Sequence, residues 1–218
     1  MDGTSIPSPP TVFVVDDDPS VLRSLTRMFQ VEGYAVEGFA HPRQMLAHGP
    51  GRRPGCVVMD LRMPELNGLE LQEELRRVGW LHPIIFISGH GDVPAAVKAM
   101  KAGAVDFLPK PFSTGELLAA VERALAQDRA AAAAEQELEA LRARFASLSP
   151  REWQVCRMVA RGLLNKQIAA ELGTAEQTVR LQRGRVMDKL AVDSVAELVR
   201  LLERLDRSPA ANAKDLPI

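Results

Sequence analysis

Side chains that can bind a cation or a phosphate follow four apolar runs in the first half of the chain. Carboxylates follow the first two runs, a hydroxyl ends the third and an ammonium follows the fourth: Asp16, Asp17 and Asp18, then Asp60, Ser88 and Lys110. Clustered carboxylates repel one another unless a cation neutralises them, and oxygen ligands that leave room for water suit Mg²⁺. A carboxylate beside such an ion can attack a phosphoryl group, and an ammonium and a hydroxyl can hold the oxygens of the product. The combination predicts an aspartate that accepts a phosphoryl group.

These side chains can meet only if the runs that precede them are strands of one parallel sheet. Apolar segments predict strands at 12–15, 35–40, 56–59, 83–88 and 104–108, with helices at 19–31, 67–77, 93–102 and from 114 onward. Three of the strand segments are continuously apolar, as in strands buried on both faces of a parallel sheet. The carboxyl ends of such strands lie at one edge, so a doubly wound α/β domain would bring the polar residues together. Taken singly, each of these residues is more typical of a solvated turn.

A basic segment near the other end of the chain indicates a different chemistry. Residues 180–189 carry four basic side chains and one acidic side chain. On a helix over 175–190, one face is apolar and the opposite face is polar or bare: Val179, Val186 and Leu190 lie inward, and Gln177, Arg180, Leu181 and Gly184 lie outward. A helix in the major groove of DNA needs residues that reach base edges and residues that contact phosphates. The pattern favours such a helix, and a solvated basic helix face is the alternative.

Four short helices with clear boundaries surround this segment. Capping boxes are predicted at 149–152 and 194–197, Gly162 ends the first helix, Asn165 is a candidate cap for the second, and Gly173 ends the second. Two helices joined by a tight turn that contains glycine predict a helix-turn-helix.

A long helix is predicted between the two regions, because 114–147 is rich in Ala and contains no Gly or Pro after Gly115. Near its end, Leu138, Leu141, Phe145 and Leu148 have the 3-4-3 spacing of a short coiled-coil seam. Pairing between two chains and packing against the helix's own domain both fit this spacing.

Charge is divided between the two regions. The 218 residues have a net charge of −1, but residues 1–125 carry 12 basic and 15 acidic side chains, whereas residues 148–218 carry 12 and 9. An acidic first part and a basic second part indicate two domains with different partners.

Other features predict a soluble protein of a reducing compartment. Cys56 and Cys156 lie in apolar surroundings and predict buried thiols rather than a disulfide. The first residues lack the features of a signal peptide, and no apolar run approaches the roughly 18 residues of a membrane span. We expect a cytoplasmic location, Trp80 and Trp153 in cores or at helix ends, and a loop role for His90.

Four motifs of the first region resemble the receiver domain of two-component response regulators, in particular the FixJ branch. The motifs are VVDDDPS, VVMDLRMPELNGLE, FISGHGD and AVDFLPKPF, and the similarity covers about residues 11–125. The resemblance implies that Asp60 is the phosphoacceptor and that Mg²⁺ is the cofactor. It also implies a metal site formed by Asp16, Asp17, Asp60 and the backbone carbonyl of Arg62. The residues implied to bind the phosphate or to switch conformation are Ser88, Phe107 and Lys110. Asp18 is expected to be an accessory acid or a helix cap.

The same resemblance implies a mechanism. A sensor histidine kinase would transfer its phosphoryl group to Asp60, Ser88 would move toward it, and Phe107 would rotate into the vacated space. The face formed by 93–102 and 104–108 would then form a homodimer, with Val97 and Lys101 as candidate contacts; ordinary helix packing is the alternative for Val97. A cis bond between Lys110 and Pro111 is also implied.

The second region is similar to the LuxR-type helix-turn-helix of the FixJ and NarL branch, over residues 148–206, through REWQV, NKQIA, ELG, TVR, MDKL and AEL. Three residues depart from that pattern: Leu164 replaces the frequent Ser or Thr, Ala175 replaces the usual capping Ser (so that Thr174 could take over the cap), and Gln182 replaces the usual His. The implied partner is promoter DNA, bound as two half-sites by a dimer. The predicted DNA contacts are Asn165, Lys166, Gln177, Thr178, Arg180, Leu181, Arg183, Gly184, Arg185 and Lys189, with Arg183, Arg185 and Lys189 expected at phosphates.

The chain is therefore predicted to comprise a receiver domain (11–125), a helical linker (126–147), a DNA-binding domain (148–206) and tails at 1–10 and 207–218. The predicted function is transcription regulation controlled by phosphorylation, without enzymatic turnover. One alternative is a Mg²⁺-dependent phosphatase that works through an aspartyl phosphate, since Asp16 and Asp18 form a D-x-D after the first strand. The other is a regulator that binds DNA regardless of phosphorylation.

Overall fold

The structure, a computed structural model, describes residues 9–49, 53–89 and 93–207. The chain divides into two units, Met1–Ala132 and Ala133–Ile218. Most of both predicted tails, and His90 with its expected loop role, lie outside the described residues. No helix in the described part of the chain is long and apolar enough to cross a membrane.

Five parallel strands form the sheet of the first unit in the order β2-β1-β3-β4-β5. The strands are β1 (Thr11–Val15), β2 (Ala35–Phe39), β3 (Gly55–Asp60), β4 (Ile84–Ser88) and β5 (Asp106–Pro109). β1, β3 and β4 are buried along their whole length, as continuous apolar runs predict for central strands covered on both faces. The predicted α/β fold with a doubly wound five-stranded parallel sheet is confirmed.

Helices cover both faces of this sheet: α1 (Pro19–Val31), α2 (Pro42–His48), α3 (Gly68–Arg77), α4 (Val93–Lys101) and the first part of α5 (Thr114–Ala146). α1 and α5 pack on one face through side chains such as Phe29 and Leu117. α2, α3 and α4 pack on the other through Met45, Leu71 and Ala99. The sequence-based prediction lacks α2, because seven residues are too few to display a helical period.

The second unit contains the end of α5 and the helices α6 (Pro150–Ala160), α7 (Asn165–Leu172), α8 (Glu176–Leu190) and α9 (Val195–Asp206). Ile168, Val179 and Leu198 are fully buried in its core. α7 ends at Gly173, whose backbone is left-handed with a φ of 62°, a conformation that glycine adopts without strain. α7 and α8 form the predicted helix-turn-helix.

The end of α5 belongs to this second core. Leu141, Phe145 and Leu148 are each at most 5% exposed, and Leu138 packs partly against the same cluster. The rings of Phe145 and Trp153 meet edge to face with their centroids 5.4 Å apart. Of the two interpretations of the 3-4-3 spacing, packing against the helix's own domain is the one that the structure bears out.

Two of the predicted helix caps were wrong. Asn165 is the first residue of α7, and the N-cap position is Leu164, whose side chain makes no capping hydrogen bond. α8 begins after Ala175, which also lacks a side-chain cap, so Thr174 does not take over that position. The carboxamide of Gln167 accepts a hydrogen bond from the Leu164 N–H at 2.8 Å and so satisfies one free donor at the start of α7.

The other two predicted caps are formed, one of them in a modified way. Glu152 accepts a hydrogen bond from the Ser149 N–H at 2.8 Å and its own N–H donates to Ser149 Oγ, which completes a capping box. Ser194 accepts from the Glu197 N–H at 3.2 Å, but the Glu197 carboxylate accepts from the Asp193 N–H rather than from Ser194. The second capping box is therefore displaced by one residue.

The cysteines and tryptophans are buried as predicted. Cys56 in the first unit and Cys156 in the second are free and buried. Burial raises the pKa of their thiols to about 12 and about 11, respectively. Trp80 and Trp153 are 4% and 8% exposed, one in each unit.

Candidate phosphoacceptor site and DNA-binding surface

The polar residues predicted to meet lie at the carboxyl ends of neighbouring strands. Asp16 follows β1, Asp60 ends β3, Ser88 ends β4 and Lys110 follows β5. These four strands are consecutive neighbours in the parallel sheet, so their ends lie along one edge, where open α/β sheets bind ligands.

One ammonium group joins two of the carboxylates. Lys110 Nζ lies 2.7 Å from Asp60 Oδ1 and 3.2 Å from Asp16 Oδ2. Lys110 is 94 residues from Asp16 and 50 residues from Asp60 in the sequence, so the fold alone creates this contact. The predicted convergence of these three residues is observed.

Backbone donors orient the remaining oxygens of the same carboxylates. Asp16 Oδ1 accepts from the Asp18 N–H at 2.9 Å, and Asp60 Oδ2 accepts from the Arg62 N–H at 2.6 Å. Of the two roles predicted for Asp18, the helix cap is observed: its Oδ1 accepts from the N–H groups of Ser20 and Val21 at the start of α1.

The site is largely buried, and its charges are not balanced. Asp16 is 1% exposed and Asp60 is 7% exposed. Burial raises the pKa of Asp16, against the opposing effects of the Asp18 N–H and of Lys110. Burial alone would lower the pKa of Lys110, but the hydrogen bond and charge of Asp60, together with Asp16, raise it above its ordinary value. Among the described residues, the Lys110 ammonium is thus bonded to two buried carboxylates, and Asp17 follows one of them in the chain.

This donor set suits a cation that needs few protein ligands. Among the residues that the structure describes, no group of three His, Cys, Asp or Glu side chains is close enough together to hold a metal ion. Mg²⁺ does not require such a group, because it keeps several waters and is commonly held by one or two carboxylates. The resemblance implies a set of that size in Asp17, Asp60 and the Arg62 carbonyl, and two buried carboxylates against the Lys110 ammonium give this edge the negative charge that a cation would neutralise.

Ser88 and Phe107 lie on the strands at the same edge. Ser88 is 1% exposed at the end of β4, and its carbonyl accepts from the Lys110 N–H at 2.7 Å. Phe107 pairs with Phe86 in the register of β4 and β5, and its side chain packs partly against the core cluster that contains Met59. The bond between Lys110 and Pro111 is cis, as the resemblance implied.

Gly68, the first residue of α3, lies against the end of β3, and no role was predicted for it. A Cβ atom at Gly68 would lie 2.7 Å from the Asp60 carbonyl oxygen and 2.8 Å from Phe86 Cε1. Its N–H donates to the Leu61 carbonyl at 2.9 Å. Only glycine allows α3 to begin so close to the end of β3. No sequence signal indicates how close these backbones are.

The proposed dimer face carries exposed apolar side chains. Val97 is 47% exposed, so the alternative of ordinary packing for Val97 is not observed within the chain. Val93 and Met100 on the same helix are 70% and 47% exposed, and Lys101 ends the helix in an exposed position.

The basic helix has the two faces that its sequence predicts. Val179, Val186 and Leu190 are at most 1% exposed, whereas the outward set is exposed: Gln177, Arg180, Leu181 and Gly184. Lys166, Thr178 and Arg185 are also exposed, and Asn165 is half-buried.

Two of the predicted phosphate-contacting residues bond within their own domain. Lys189 Nζ donates to Glu152 Oε2 at 2.6 Å and to the Ser147 carbonyl at 3.0 Å. Arg183 Nη1 donates to Asn165 Oδ1 at 3.2 Å. Lys189 therefore holds the end of α8 against α6, and Arg183 links α8 to the start of α7, so both position the helix.

Two family models match the chain. Residues 12–122 match the response regulator receiver domain, and residues 146–202 match the bacterial regulatory proteins of the luxR family. The chain is also 50% identical over 194 residues to nodulation protein W of Bradyrhizobium diazoefficiens, which covers 89% of this chain and 86% of that protein. The chain is a two-component response regulator. The predicted combination of a receiver domain with a LuxR-type DNA-binding domain is confirmed.

Further relatives support the same assignment for the regulator. It is 44% identical over 193 residues to the transcriptional regulatory protein FixJ of Bradyrhizobium diazoefficiens, over 88% of this chain and 94% of that protein. The solved structure of the response regulator StyR matches with a TM-score of 0.79 and 47% identity, over 90% of this chain and 99% of that one. Full-length FixJ from B. japonicum matches with a TM-score of 0.56 and 43% identity, over 90% and 97%. The regulator therefore belongs to the FixJ type in both sequence and fold.

Proposed function

We propose that a sensor histidine kinase phosphorylates this regulator on Asp60, and that phosphorylation promotes dimerisation and sequence-specific binding to promoter DNA. The observation that carries the proposal is the contact of Lys110 Nζ with both Asp60 and Asp16 at the ends of neighbouring strands. A buried carboxylate with an ammonium at 2.7 Å is prepared to receive a dianionic group, because the ammonium offers a donor to the new oxygens.

The chemical step is a displacement at phosphorus. A carboxylate oxygen of Asp60 attacks the phosphorus of a phosphohistidine whose other ring nitrogen carries a proton. The bond from phosphorus to the imidazole nitrogen breaks, and that nitrogen retains the electron pair. The product is an acyl phosphate on Asp60 and a neutral kinase histidine. Lys110 and Ser88 hold the phosphoryl oxygens, and the Arg62 N–H keeps the carboxylate in position through its 2.6 Å hydrogen bond.

The proposed cofactor of the regulator is Mg²⁺. Asp17, Asp60 and the Arg62 carbonyl would hold it, with Asp16 completing the acidic pair. When bound, it neutralises charge on the transferring phosphoryl oxygens.

The switch follows from the charge that the phosphoryl group adds, roughly −1.5 to −2 at neutral pH. Ser88 moves toward the phosphate, Phe107 rotates inward, and the surface of α4 and β5 changes shape. Dimerisation through this surface, with Val97 and Lys101 in contact, buries apolar side chains that are exposed in one chain. Two DNA-binding domains are then available for two half-sites, which raises affinity because a single module contacts few base pairs. Both promoter DNA and the kinase domain that supplies the phosphoryl group imply a cytoplasmic location.

We also propose that the regulator accepts one phosphoryl group and does not turn over phosphomonoesters. The phosphatase alternative needs both acids of a D-x-D at the reacting group. The Asp18 carboxylate is occupied as the cap of α1, with Oδ1 2.7 Å from the Ser20 N, which favours the regulator.

The test measures phosphate incorporation, mass in solution and DNA affinity together. Full-length wild type, Asp60→Asn and the matched control Glu73→Gln, which alters an exposed carboxylate on α3, are treated with Mg²⁺ and a small phosphodonor. Wild type and Glu73→Gln are expected to gain one acid-labile phosphate per chain, to dimerise and to bind promoter DNA more tightly, whereas Asp60→Asn does none of these. Phosphate on Asp60→Asn, or sustained hydrolysis of an excess of phosphomonoester by wild type, would refute the assignment.

The same variants decide whether phosphorylation controls DNA binding. Equal DNA affinities of wild type and Asp60→Asn under phosphorylating conditions would show binding regardless of phosphorylation, and the proposed switch would be wrong.

A further inference from the structure

Two residues on the exposed face of α8 bring no charge or hydrogen-bonding side chain to it. Leu181 is 58% exposed, and Gly184, one turn further along, is also exposed. We call these two residues the bare patch. Arg180 and Arg185 lie beside it in the sequence and are exposed as well.

Neither packing nor backbone geometry explains a glycine at 184 in the part of the chain that the structure describes. A Cβ atom built there would have no heavy atom within 4 Å. Gly184 is not among the glycines with a positive φ, so the helix does not need its conformational freedom. Glycine is also the least favourable residue for a helix interior apart from proline. A residue that weakens its own helix without serving the fold is explained if another molecule approaches the backbone at that position.

The exposed leucine indicates what kind of group approaches. Leu181 and Gly184 are three residues apart and therefore neighbours on the helix surface. Together they present an aliphatic side chain beside an open strip of backbone. The basic side chains on either side would face an anionic partner, so the occupant must combine negative charge at its borders with an apolar group at its centre.

The major groove of DNA has this combination. Its borders are phosphates, and within it the C5-methyl group of thymine is the apolar feature of the base edges. A protein partner would also bury a leucine, but an anionic frame around an apolar centre, on the face of a helix-turn-helix that is expected to meet DNA, favours the nucleic acid.

We infer that Leu181 reads the methyl group of a thymine in each half-site, and that the missing side chain at 184 lets α8 come close enough for this contact. The inference rests on the proposed DNA-binding function and adds a base preference to it. Leu181 is then a specificity-determining residue and Gly184 a positioning residue.

The first experiment replaces thymine by uracil, which removes only the methyl group. Full-length protein with Mg²⁺ and beryllofluoride is used to select duplexes from a random pool, and each thymine of the enriched half-site is then changed to uracil singly. At one position the change is expected to weaken wild-type binding about fourfold, as for loss of one buried methyl-sized group. The same change should leave Leu181→Ala unaffected. Leu164→Ala, which removes the other exposed leucine of this domain (67% exposed), should discriminate thymine from uracil as wild type does.

The second experiment uses Gly184→Ala, which is expected to raise the stability of the fold and to lower the affinity for DNA. Alanine should raise the melting temperature, because it favours the helix, and should lower affinity for the enriched duplex at least tenfold. Gly115→Ala is the matched control, since Gly115 is also an exposed glycine in a helix with no heavy atom within 4 Å of a built Cβ. It should raise the melting temperature and leave DNA affinity unchanged.

Two results would overturn the inference while the proposed function stands. In the first, a duplex is enriched, but at none of its thymines does the effect of removing the methyl group depend on Leu181. In the second, Gly184→Ala binds the enriched duplex with wild-type affinity. The second of these is also the result expected if the bare patch binds a protein. Failure of wild type to enrich any sequence would overturn the inference and the DNA-binding proposal together.

Discussion

At the residue scale, the most consequential contacts join residues far apart in the sequence. Lys110 meets Asp16 and Asp60 in the first unit, and Lys189 meets Glu152 in the second. Each contact combines an ion pair with at least one acid that is almost fully buried. Removing one partner of such a pair leaves an uncompensated charge, so single substitutions there should have large effects.

The Glu152 pair makes the stability of the helical unit depend on pH. The hydrogen bond from Lys189, followed by that from the Ser149 N–H, lowers the pKa of Glu152 below its ordinary value of 4.5. A carboxylate with a lowered pKa in the folded state contributes stability that is fully present above the unfolded pKa and is lost as pH falls through the folded pKa. We expect Glu152→Gln to destabilise the unit by about 1–3 kcal/mol at pH 7, and by less at pH 4. Urea unfolding of the full chain at both pH values measures the difference.

Glu203→Gln is the control for this prediction. Glu203 forms an exposed pair with Arg207 at 3.5 Å, so its loss should change stability by less than about 0.5 kcal/mol at either pH. A Glu152→Gln effect of the same size at pH 7 and pH 4 would contradict the ionic origin of the stabilisation.

Gly68 allows a second prediction at this scale. Alanine there would place its Cβ 2.7 Å from the Asp60 carbonyl oxygen, so either α3 or the end of β3 must move. We expect Gly68→Ala to destabilise the receiver unit by about 1–3 kcal/mol and to slow phosphate incorporation on Asp60. Thermal unfolding and the phosphorylation time course measure the two effects. Gly115→Ala, where there is open space, should show neither loss; wild-type stability and rate for Gly68→Ala would contradict the close packing.

At the scale of elements, α5 has different functions at its two ends. Its first turns pack on the receiver sheet through Leu117 and Val121, and its last turns complete the helical core through Leu141 and Phe145. The boundaries predicted from the sequence at 125 and 147 treat the segment between them as a linker, and they remain a proposal. The packing unit of the DNA-binding region nevertheless includes side chains from 138 onward.

Truncation of Phe145 tests the role of the helix end. Phe145 is 2% exposed and packs against Trp153, so Phe145→Ala should destabilise the helical unit by about 3–5 kcal/mol. Chemical unfolding followed by Trp153 fluorescence in a Trp80→Phe background measures this, and Glu139→Ala on the same helix should have a much smaller effect. If Phe145→Ala instead left stability unchanged and abolished dimerisation, the seam would serve pairing between chains.

Much of this architecture could be predicted because local sequence encodes it. The continuous apolar runs predicted β1, β3 and β4 to within one residue at each end, and the Ser149 capping box predicted the start of α6. The rest depends on tertiary packing. The bond between Lys189 and Glu152 joins residues 37 apart, and nothing in the local sequence of Lys189 separates it from a lysine that contacts DNA. The caps at Leu164 and Ala175 could not be predicted from propensity, because neither residue type is a favoured cap.

At the scale of the whole molecule, each unit contains one tryptophan, Trp80 in the receiver and Trp153 in the helical unit. A ligand that binds one unit should stabilise that unit, because it shifts only the unfolding equilibrium in which it takes part. With Trp153→Phe, Mg²⁺ and beryllofluoride should raise the midpoint of the transition reported by Trp80. The free energy of unfolding of that unit should increase by up to about 2.7 kcal/mol at a hundredfold excess over Kd.

The complementary variant provides the comparison. With Trp80→Phe, the transition reported by Trp153 should keep its midpoint when the same ligands are added at protein concentrations too low for dimerisation. Asp60→Asn in the Trp153→Phe background should abolish the shift. Equal shifts for both reporters would mean that the two units unfold as one.

The two faces of α8 have a consequence for how this regulator can diverge. Val179, Val186 and Leu190 are fixed by the core, while Gln177, Arg180 and Leu181 are exposed on the same helix. Under the DNA-binding role proposed for this face, substitution at the exposed positions changes which promoters are bound without lowering fold stability. Paralogues that arise by gene duplication can then acquire separate sets of target genes through very few codon changes. The order of mutations matters little in such a lineage, because no intermediate has to recover lost stability before the next change is tolerated.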